Sequence, residues 1–324
     1  MKAILQERFG LPKDLRLAET APPEAGANDL LVRVNAAAIN PADWHILRGD
    51  PYVARLMGIG LTRPKNPVAG SDAAGVVVAA GANVDRLKAG DEVLGFFRGA
   101  FAEYACGPQD KVVPKPASVT FEQAAALPTA ATTALRGIRD VGEVTAGQRV
   151  LVNGAGGGVG HFAIQIAAAL DAEVTGVCST RNVDLVRSLG AAHVIDYTTA
   201  DFTAGETRYD VILDNVSSLP LTQLRRTLTP KGTLVLNGGG SPGHVFGPIG
   251  TLLKAVVVNL VAPQRLRPLP SKEDREELLA VTELVEEGKL VPTVDRTYPL
   301  AETAEGLSYV EQGHARGKVV VTVP

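Results

Sequence analysis

A glycine-rich loop carries the most specific chemistry in this sequence. Residues 149–153 (RVLVN) form a short apolar run that leads directly into GAGGGVG, and an alanine-rich stretch with helical spacing follows. A strand, a glycine loop and a helix in this order suit a pyrophosphate, because missing Cβ atoms let the backbone approach it and the helix N-terminus stabilises its charge. We therefore predict a dinucleotide-binding loop that consists of Gly154, Gly156, Gly157, Gly158, Val159 and Gly160.

The spacing of these glycines departs from the common Gly-x-Gly-x-x-Gly pattern by one residue. Gly154, Gly157 and Gly160 recur at intervals of three. The longer loop keeps the chemistry of pyrophosphate binding, and its spacing narrows the families to which the chain could belong.

The segment after the second strand indicates which dinucleotide binds. Residues 173–178 (EVTGVC) should end beside the adenosine ribose, where an acidic side chain would accept a hydrogen bond from the 2′-hydroxyl of NADH. The strand is followed instead by Ser179-Thr180-Arg181-Asn182, whose hydroxyls and guanidinium suit a 2′-phosphate. We predict that Ser179 and Arg181 bind NADPH. In the alternative, Ser179 or Asn182 caps the next helix and Arg181 is solvated.

Two further segments should lie at the carboxyl edge of the same sheet, where ligands bind in open α/β folds. Asn215 follows the fourth strand, and the run NGGGS at 237–241 follows the fifth. We predict that Asn215, Gly238 and Gly239 contact the cofactor. The alternatives are that Asp214-Asn215 is only a turn signal and that the glycine run is a flexible loop without contacts.

The pattern of predicted secondary structure changes near residue 120. Before it, short β-like runs such as 30–34, 75–80 and 92–97 alternate with turn residues, whereas after it strands alternate with helical patterns, as in a parallel sheet. We therefore predict an α/β protein with a β-rich part and a doubly wound part. The predicted strands of the second part are 149–153, 173–178, 193–197, 210–214 and 232–237. Three predicted helices begin near 159, 182 and 219, and a fourth spans 272–287. A last strand is predicted at 318–323.

Composition excludes several classes of protein. The 324 residues are 45% hydrophobic and 21% charged, which is enough for one large or two medium globular domains, each with its own core. The net charge is -3 and the basic residues are dispersed, so no nucleic-acid partner is expected. The longest apolar stretch, 249–262, is interrupted by Lys254 and too short to span a bilayer. We expect no membrane association.

The two cysteines exclude a disulfide framework and a cysteine-rich zinc site, because they are far apart and form no Cys-x-x-Cys pair. The opening residues MKAILQERFG lack the long apolar run of a signal peptide. We expect a cytoplasmic protein with two inert cysteines.

Six motifs together resemble the zinc-independent quinone oxidoreductase (zeta-crystallin-like) branch of the medium-chain dehydrogenase/reductase superfamily. They are AAINPADWHILRGD (37–50), GSDAAGVV (70–77), AGDEVLGF (89–96), LPTAATTAL (127–135), GAGGGVG (154–160) and GHARGKVVV (313–321). The resemblance implies a GroES-like β-rich substrate domain from residues 1–121 and 290–324. It implies that a Rossmann doubly wound parallel-sheet domain, residues 122–289, is inserted between them, with the active site in the cleft. A homodimer is common in this family.

The same resemblance bears on metal binding. Zinc alcohol dehydrogenases place a Cys, a His and a Cys around the catalytic metal, and the matching positions here are Asn40, Ser71 and about Pro128, which are not a zinc ligand set. The five histidines show no ligand spacing either. We predict no metal site. Without a Lewis acid, hydride transfer is expected to an acceptor that is already activated, such as a quinone or an α,β-unsaturated carbonyl.

By resemblance, the substrate side of the site consists of Asn40, which would lie beside the nicotinamide and the substrate, and Tyr52, which could donate a hydrogen bond to the carbonyl oxygen. Thr132 and Asp43 would border the cleft. The alternatives are that Asn40 is a turn residue before Pro41 and that Tyr52 is a packing aromatic.

By the same resemblance, Asn40, Tyr197 and Lys318 would contact the cofactor. Tyr197 matches the family tyrosine on the adenosine phosphate side. Lys318 either meets the cofactor or closes a turn.

The predicted function is an NADPH-dependent reductase that transfers hydride to a small-molecule quinone or enone. Two alternatives are an enoyl-thioester reductase, which uses the same acceptor chemistry, and a non-catalytic NADPH-binding protein with a structural or regulatory role. The apolar segment 241–270 contains no recognisable polar group for a substrate. It is interpreted as a lid over the cleft, an oligomer contact or ordinary core.

Overall fold

The computed structural model describes residues 1–237, 255, 258, 259 and 262–324. The chain divides into two units, of which the first comprises residues 1–132 and 273–324 and the second comprises residues 133–272. Fifteen strands lie in the described residues: β1 (Lys2–Leu5), β2 (Arg16–Glu19), β3 (Asp29–Ile39), β4 (Asp72–Ala80), β5 (Glu92–Phe96), β6 (Tyr104–Pro108), β7 (Val112–Pro114), β8 (Arg149–Asn153), β9 (Glu173–Cys178), β10 (His193–Asp196), β11 (Tyr209–Asp214), β12 (Leu228–Leu236), β13 (Arg265–Pro268), β14 (Val294–Pro299) and β15 (Lys318–Thr322).

The helices are short, and several continue into tighter or wider turns. The α-helices whose ends lie in the described residues are α1 (Pro41–Arg48), α2 (Tyr52–Ala54), α3 (Phe121–Ala125), α4 (Pro128–Leu135), α5 (Gly160–Ala169), α6 (Val183–Ser188), α7 (Leu221–Arg226), α8 (Arg275–Glu286) and α9 (Thr303–Glu311).

The first unit is built on an antiparallel sheet with one parallel pair. Its strand order is β14-β15-β3-β4-β5-β7, β6 pairs with β3, and β14 runs parallel to β15. Alternate residues of β3 point into the core, so Leu30, Val32 and Val34 are fully buried. They pack in one cluster with residues such as Phe101 and Val321.

The second unit carries the predicted doubly wound sheet. All six strands run parallel in the order β10-β9-β8-β11-β12-β13. Val150, Leu151 and Val152 are all fully buried, as expected for a strand covered on both faces. Strand order reverses between β8 and β11, and in such folds ligands bind beyond the carboxyl ends of the strands at this switch point.

Most of the predicted elements of the second unit match the observed ones within a few residues. Strands 149–153 and 173–178 have the predicted ends, whereas β12 begins at Leu228, four residues before the predicted start at 232. Helix α8 begins at Arg275 rather than at 272 because the side chain of Asp274 accepts hydrogen bonds from the N–H groups of Glu276 and Glu277.

The boundary between the units differs from the predicted one. Residues 122–132 and 273–289 group with the first unit, although their helical pattern suggested the second. Helix α3 contacts β3 and β4, and α8 contacts β7, where Lys111 forms an ion pair of 2.5 Å with Glu273. A helical pattern shows that a helix forms, but not against which sheet it packs.

Part of the segment 241–270 lies outside the described residues, as do Gly238 and Gly239. Within the described part, Ala255 is buried, Val258 packs against the same core cluster of the second unit, and β13 pairs with β12 at the edge of the sheet. These residues therefore belong to ordinary core and sheet. Among the described residues, no helix is long and apolar enough to cross a membrane.

Candidate cofactor and substrate sites

The glycine loop turns sharply between β8 and α5. Gly154 has φ +77°, and its N–H and that of Ala155 both donate to the carbonyl of Val177 at the end of β9. The N–H of Gly157 donates back to the carbonyl of Gly154 over 3.1 Å. Gly158 and Val159 follow half-buried, and α5 begins at Gly160. All six residues predicted to hold the pyrophosphate are therefore in one turn.

A side chain is excluded by packing at some glycines of this turn but not at others. A Cβ on Gly160 would lie 2.1 Å from the carbonyl oxygen of Gly154, and a Cβ on Gly156 would lie 2.6 Å from Nδ2 of Asn182. A Cβ on Gly157 would meet only the oxygen of Gly154, at 3.4 Å, which is ordinary contact. Packing within the protein explains Gly156 and Gly160. The open side of Gly157 suits the close approach of a phosphate.

The turn after β9 carries the residues predicted to recognise a 2′-phosphate. Thr180 and Arg181 are exposed, and Ser179 is half-buried. Nδ2 of Asn182 lies 3.4 Å from Oγ of Ser179, and neither side chain caps a helix. Both residues occupy N-cap positions without a capping hydrogen bond from their side chains, and Arg181 is exposed, as the alternative expected.

A carboxylate reaches this turn from the neighbouring strand. Asp196 is the last residue of β10, and its Oδ2 accepts a hydrogen bond of 2.6 Å from Oγ1 of Thr180. The sequence shows no acidic residue at the end of β9, and Asp196 in the predicted strand 193–197 was not assigned a role. The parallel pairing of β9 with β10 would have indicated this residue, because it places Asp196 in register with Cys178 at the end of β9.

Tyr197 lies beside the same turn. It follows β10 directly, its N–H donates to the carbonyl of Cys178 over 3.0 Å, and its side chain is exposed. The backbone bond places Tyr197 at the end of β9, on the side of the sheet edge where the adenosine half of a dinucleotide lies.

Side-chain amides line the carboxyl ends of β8, β11 and β12. Nδ2 of Asn153 donates to Asp214 over 2.8 Å, Nδ2 of Asn215 donates to the carbonyl of Asn153 over 3.1 Å, and Nδ2 of Asn237 donates to Oδ1 of Asn215 over 2.8 Å. Asp214 also accepts from two backbone N–H groups that follow it, so it does form the turn that the alternative proposed. Asn215 therefore ties three strand ends together at the switch point.

A second polar group is buried in the first unit, around Asn40. Asn40 lies between β3 and α1, and only 2% of it is exposed. Its Nδ2 donates to Oδ2 of Asp72 over 2.9 Å, and its Oδ1 accepts from Nζ of Lys318 over 2.5 Å. A carboxylate on one side and an ammonium on the other fix the orientation of the amide. Asn40 is thus more than a turn residue before Pro41.

Asp72 connects this group, and sequence analysis did not identify it. Its carboxylate accepts from Asn40, from Oγ of Ser71 at 3.3 Å, and from both the N–H and the Oγ1 of Thr129 at 2.9 and 2.7 Å. It joins the start of β4 to β3 and to α4. The available signal was a charged residue at the start of the apolar run DAAGVVVAA, where a carboxylate needs buried partners.

Burial dominates the electrostatics of this group. Burial raises the pKa of Asp43 to about 7; the Asn40 N–H, which donates to it over 2.7 Å, lowers that pKa, and Asp72 raises it further. Burial also raises the pKa of Asp72, against the opposing effect of Lys318, and lowers the pKa of Lys318, against the effects of Asp72 and Asp43. The two buried carboxyl groups and the buried amine therefore influence one another's pKa, and that of Asp43 lies in the neutral range.

Comparisons with known proteins support the resemblance. The model of the alcohol dehydrogenase GroES-like domain matches residues 26–117, and that of a zinc-binding dehydrogenase matches residues 189–321. A chloroplastic quinone-oxidoreductase homologue from Spinacia oleracea is 33% identical over 99% of this chain and 98% of its own. This chain belongs to the zinc-independent quinone oxidoreductase branch of the medium-chain dehydrogenase/reductase superfamily. It is an oxidoreductase, and the predicted α/β fold class is confirmed.

Other relatives of this quinone oxidoreductase branch extend the comparison. A 2-methylene-furan-3-one reductase from Solanum lycopersicum is 32% identical over 99% of this chain and 79% of its own. The quinone oxidoreductase of Coxiella burnetii has a TM-score of 0.86 and 32% identity, covering 100% of this chain and 99% of that one. The Escherichia coli quinone oxidoreductase, solved with NADPH, has a TM-score of 0.81 and 26% identity, covering 99% and 100%. The family is NAD(P)H-dependent. Since one relative is chloroplastic, a cytoplasmic location stays a prediction.

Within the described residues, Tyr52 and Thr132 form no hydrogen bond to Asn40, Asp72 or Lys318. Thr132 is buried, and its Oγ1 donates over 2.5 Å to the carbonyl of Pro128 in its own helix. Tyr52 is 52% exposed, with the Arg55 guanidinium 4.6 Å from its ring centroid. Half of the Tyr52 side chain is thus open to solvent, whereas the Thr132 hydroxyl proton is committed to its helix.

The residues that the resemblance matches to the zinc ligands of the zinc dehydrogenases have other roles in this protein. Asn40 and Ser71 both donate to Asp72, and Pro128 begins α4. In the part of the chain that the structure describes, no three His, Cys, Asp or Glu side chains are placed to hold a metal ion.

Burial raises the pKa of both free cysteines, Cys106 and Cys178, that of Cys178 to about 11, so their thiols stay protonated.

Proposed function

We propose that this protein is an NADPH-dependent reductase that transfers hydride, without zinc, to a quinone or an α,β-unsaturated carbonyl. The observation that carries the proposal is the turn at 154–160, whose Gly157 is open where Gly156 and Gly160 are packed. The names of the spinach and tomato relatives support quinone and enone acceptors, and the Escherichia coli relative supports NADPH.

The second unit supplies the groups proposed to hold the cofactor. Backbone N–H groups of the turn from Gly156 to Gly160, other than that of Gly157, would bind the pyrophosphate, and Arg181 and Ser179 the 2′-phosphate. Tyr197 would contact the adenosine phosphate side. Asn215 would lie near the nicotinamide, which supplies the hydride when bound. The proposed contacts of Gly238 and Gly239 fall outside the described residues.

The first unit supplies the groups proposed to act on the substrate. After its bonds to Asp72 and Lys318, the amide of Asn40 retains one N–H and one lone pair, with which it would contact the nicotinamide and the acceptor. Tyr52 would donate a hydrogen bond to the acceptor oxygen, on which negative charge develops, and water would supply the final proton. Thr132 would border the acceptor, and Lys318 would act by holding Asn40.

Turnover assays with three acceptors test the proposal. NADPH oxidation, followed by the loss of its near-ultraviolet absorbance, is compared for a quinone, an enone and an enoyl-CoA against a control without acceptor. We expect turnover with the quinone or the enone. Turnover with enoyl-CoA alone would establish the enoyl-thioester alternative, and tight NADPH binding without turnover would establish the non-catalytic one.

The preference for NADPH has its own test in Arg181→Ala. Loss of a charge-assisted bond to a phosphate costs about 1.5–3 kcal/mol, so the Kd for NADPH should rise by at least ~10-fold while that for NADH stays constant. The control is Arg187→Ala, which removes an exposed charge from the following helix. Unchanged NADPH affinity in Arg181→Ala would overturn the assignment.

Two further expectations are a homodimer and a cytoplasmic location. Sedimentation of the purified chain distinguishes a monomer of 33.8 kDa from a dimer, and fractionation of the source cells tests the location.

A further inference from the structure

The carboxylate of Asp196 lies at the same sheet edge as the proposed 2′-phosphate site. In the parallel pair of β9 and β10, Asp196 is in register with Cys178, the last residue before the turn 179–182. Neighbouring strands are ~4.8 Å apart, so the two strand ends are adjacent. A negative charge therefore stands next to the segment that carries Arg181.

Hydrogen bonds hold this carboxylate in place. Oδ2 accepts from Oγ1 of Thr180 over 2.6 Å, and Oδ1 accepts from the N–H and the Oγ1 of Thr198 over 2.9 and 2.8 Å. The bond from Thr180, followed by that from the Thr198 N–H, lowers the pKa of Asp196, which stays ionised near neutral pH. The Thr180 hydroxyl proton is thus committed to a carboxylate and is not offered to a phosphate.

The turn consequently presents two opposite charges to the adenosine ribose. A 2′-phosphate is attracted by Arg181 and repelled by Asp196, whereas the 2′-hydroxyl of NADH is neutral and can donate to a carboxylate. We infer that Asp196 is a specificity-determining residue that reduces the preference of this enzyme for NADPH over NADH. This inference rests on the proposed cofactor site at residues 179–181.

Asp196→Asn tests the inference, because it removes the charge and keeps the size of the side chain and an acceptor for Thr198. Kd values for NADPH and NADH are measured by fluorescence titration of the full chain. Asp196→Asn removes the Coulomb repulsion between the carboxylate and the 2′-phosphate. For a separation of ~7 Å between these two groups in a solvent-exposed site, the Kd for NADPH should fall about 3- to 10-fold. The Kd for NADH should stay within about twofold or rise. The gain for NADPH should shrink as salt is raised to about 1 M, where the Debye length is ~3 Å.

Asp201→Asn is the matched control. Asp201 has the same local pattern, because its Oδ1 accepts from the N–H and the Oγ1 of Thr203 over 2.8 and 2.7 Å, and these bonds lower its pKa. The variant changes the net charge equally, but Asp201 bonds to its own loop and not to the turn 179–182. We expect its NADPH to NADH ratio to match that of the unmodified protein. Thr180→Val, which removes the hydroxyl and keeps the carboxylate, should also leave the ratio within about twofold.

The outcomes separate this inference from the proposed function. If Asp196→Asn leaves the ratio unchanged while Arg181→Ala weakens NADPH binding, the inference is wrong and the cofactor site stands. Equal weakening of both cofactors in Asp196→Asn, or an effect that salt does not reduce, assigns Asp196 a structural role and also overturns the inference. If Arg181→Ala has no effect, the proposed 2′-phosphate site itself is wrong.

Discussion

Gly157→Ala separates the cofactor-binding role of the glycine turn from its role in folding. A methyl group on Gly157 meets only the Gly154 oxygen at 3.4 Å, and Gly157 is not among the residues with positive φ. The variant should therefore fold with a free energy of unfolding within about 1 kcal/mol of the unmodified protein, since alanine also restricts the unfolded chain. Gly160→Ala places its Cβ 2.1 Å from a backbone oxygen, so the backbone must move, at a cost of about 2–4 kcal/mol.

Gly157→Ala is expected to have a small effect on stability but a large effect on NADPH affinity. The open side of Gly157 is where the pyrophosphate would approach, and a methyl group there would hold the phosphate away from a neighbouring N–H group of the turn, with the loss of one charge-assisted hydrogen bond. Such a bond contributes about 1.5–3 kcal/mol, and each 1.4 kcal/mol is a factor of ten in Kd. Gly157→Ala should therefore raise the Kd for NADPH about 10- to 100-fold while the fold is retained.

The assay combines fluorescence titration with NADPH and thermal unfolding without cofactor. The control is Gly205→Ala, in an exposed loop where a Cβ would meet only the Thr207 nitrogen at 4.0 Å, and both its affinity and its Tm should stay unchanged. Unchanged NADPH affinity in a folded Gly157→Ala protein would refute the reasoning that the open side of this residue faces the phosphate.

Two further predictions concern the first unit. The pKa of Asp43 is about 7 in the fold and 3.8 ordinarily, so the fold keeps a proton that the unfolded chain releases; stability should fall by up to ~4 kcal/mol as pH rises from about 4 to 7 and then level off. Asp43→Asn, which keeps an acceptor for the Asn40 N–H, should reduce this slope in urea unfolding at several pH values and leave the part due to Asp72, and an unchanged slope would contradict the assignment. Tyr52→Phe keeps the ring beside Arg55 and removes the hydroxyl, so kcat should fall about tenfold with unchanged cofactor affinity. Equal kcat values would exclude Tyr52 from the reaction.

The sequence by itself determined the features that depend on neighbouring residues. A run of apolar residues followed by glycines and an alanine-rich helix specifies a strand, a turn and a helix through local sterics and periodicity, so β8, β9 and the turn 154–160 were predictable. The family motifs likewise singled out Asn40 and Lys318, whose predicted contacts with the cofactor stay predictions, whereas their hydrogen bond to each other was not predicted.

Only the tertiary structure decided which distant residues complete these sites. Asp72 meets Asn40 across 32 positions of sequence, and Lys318 meets Asn40 across 278, because antiparallel pairing of β3 with β4 and β15 brings them together. Asp196 reaches Thr180 through the register of two parallel strands, and the same kind of packing assigns α3 and α8 to the first unit. Hydrogen bonds between strands and the burial of charge act through space, so a pattern along the chain carries no record of them.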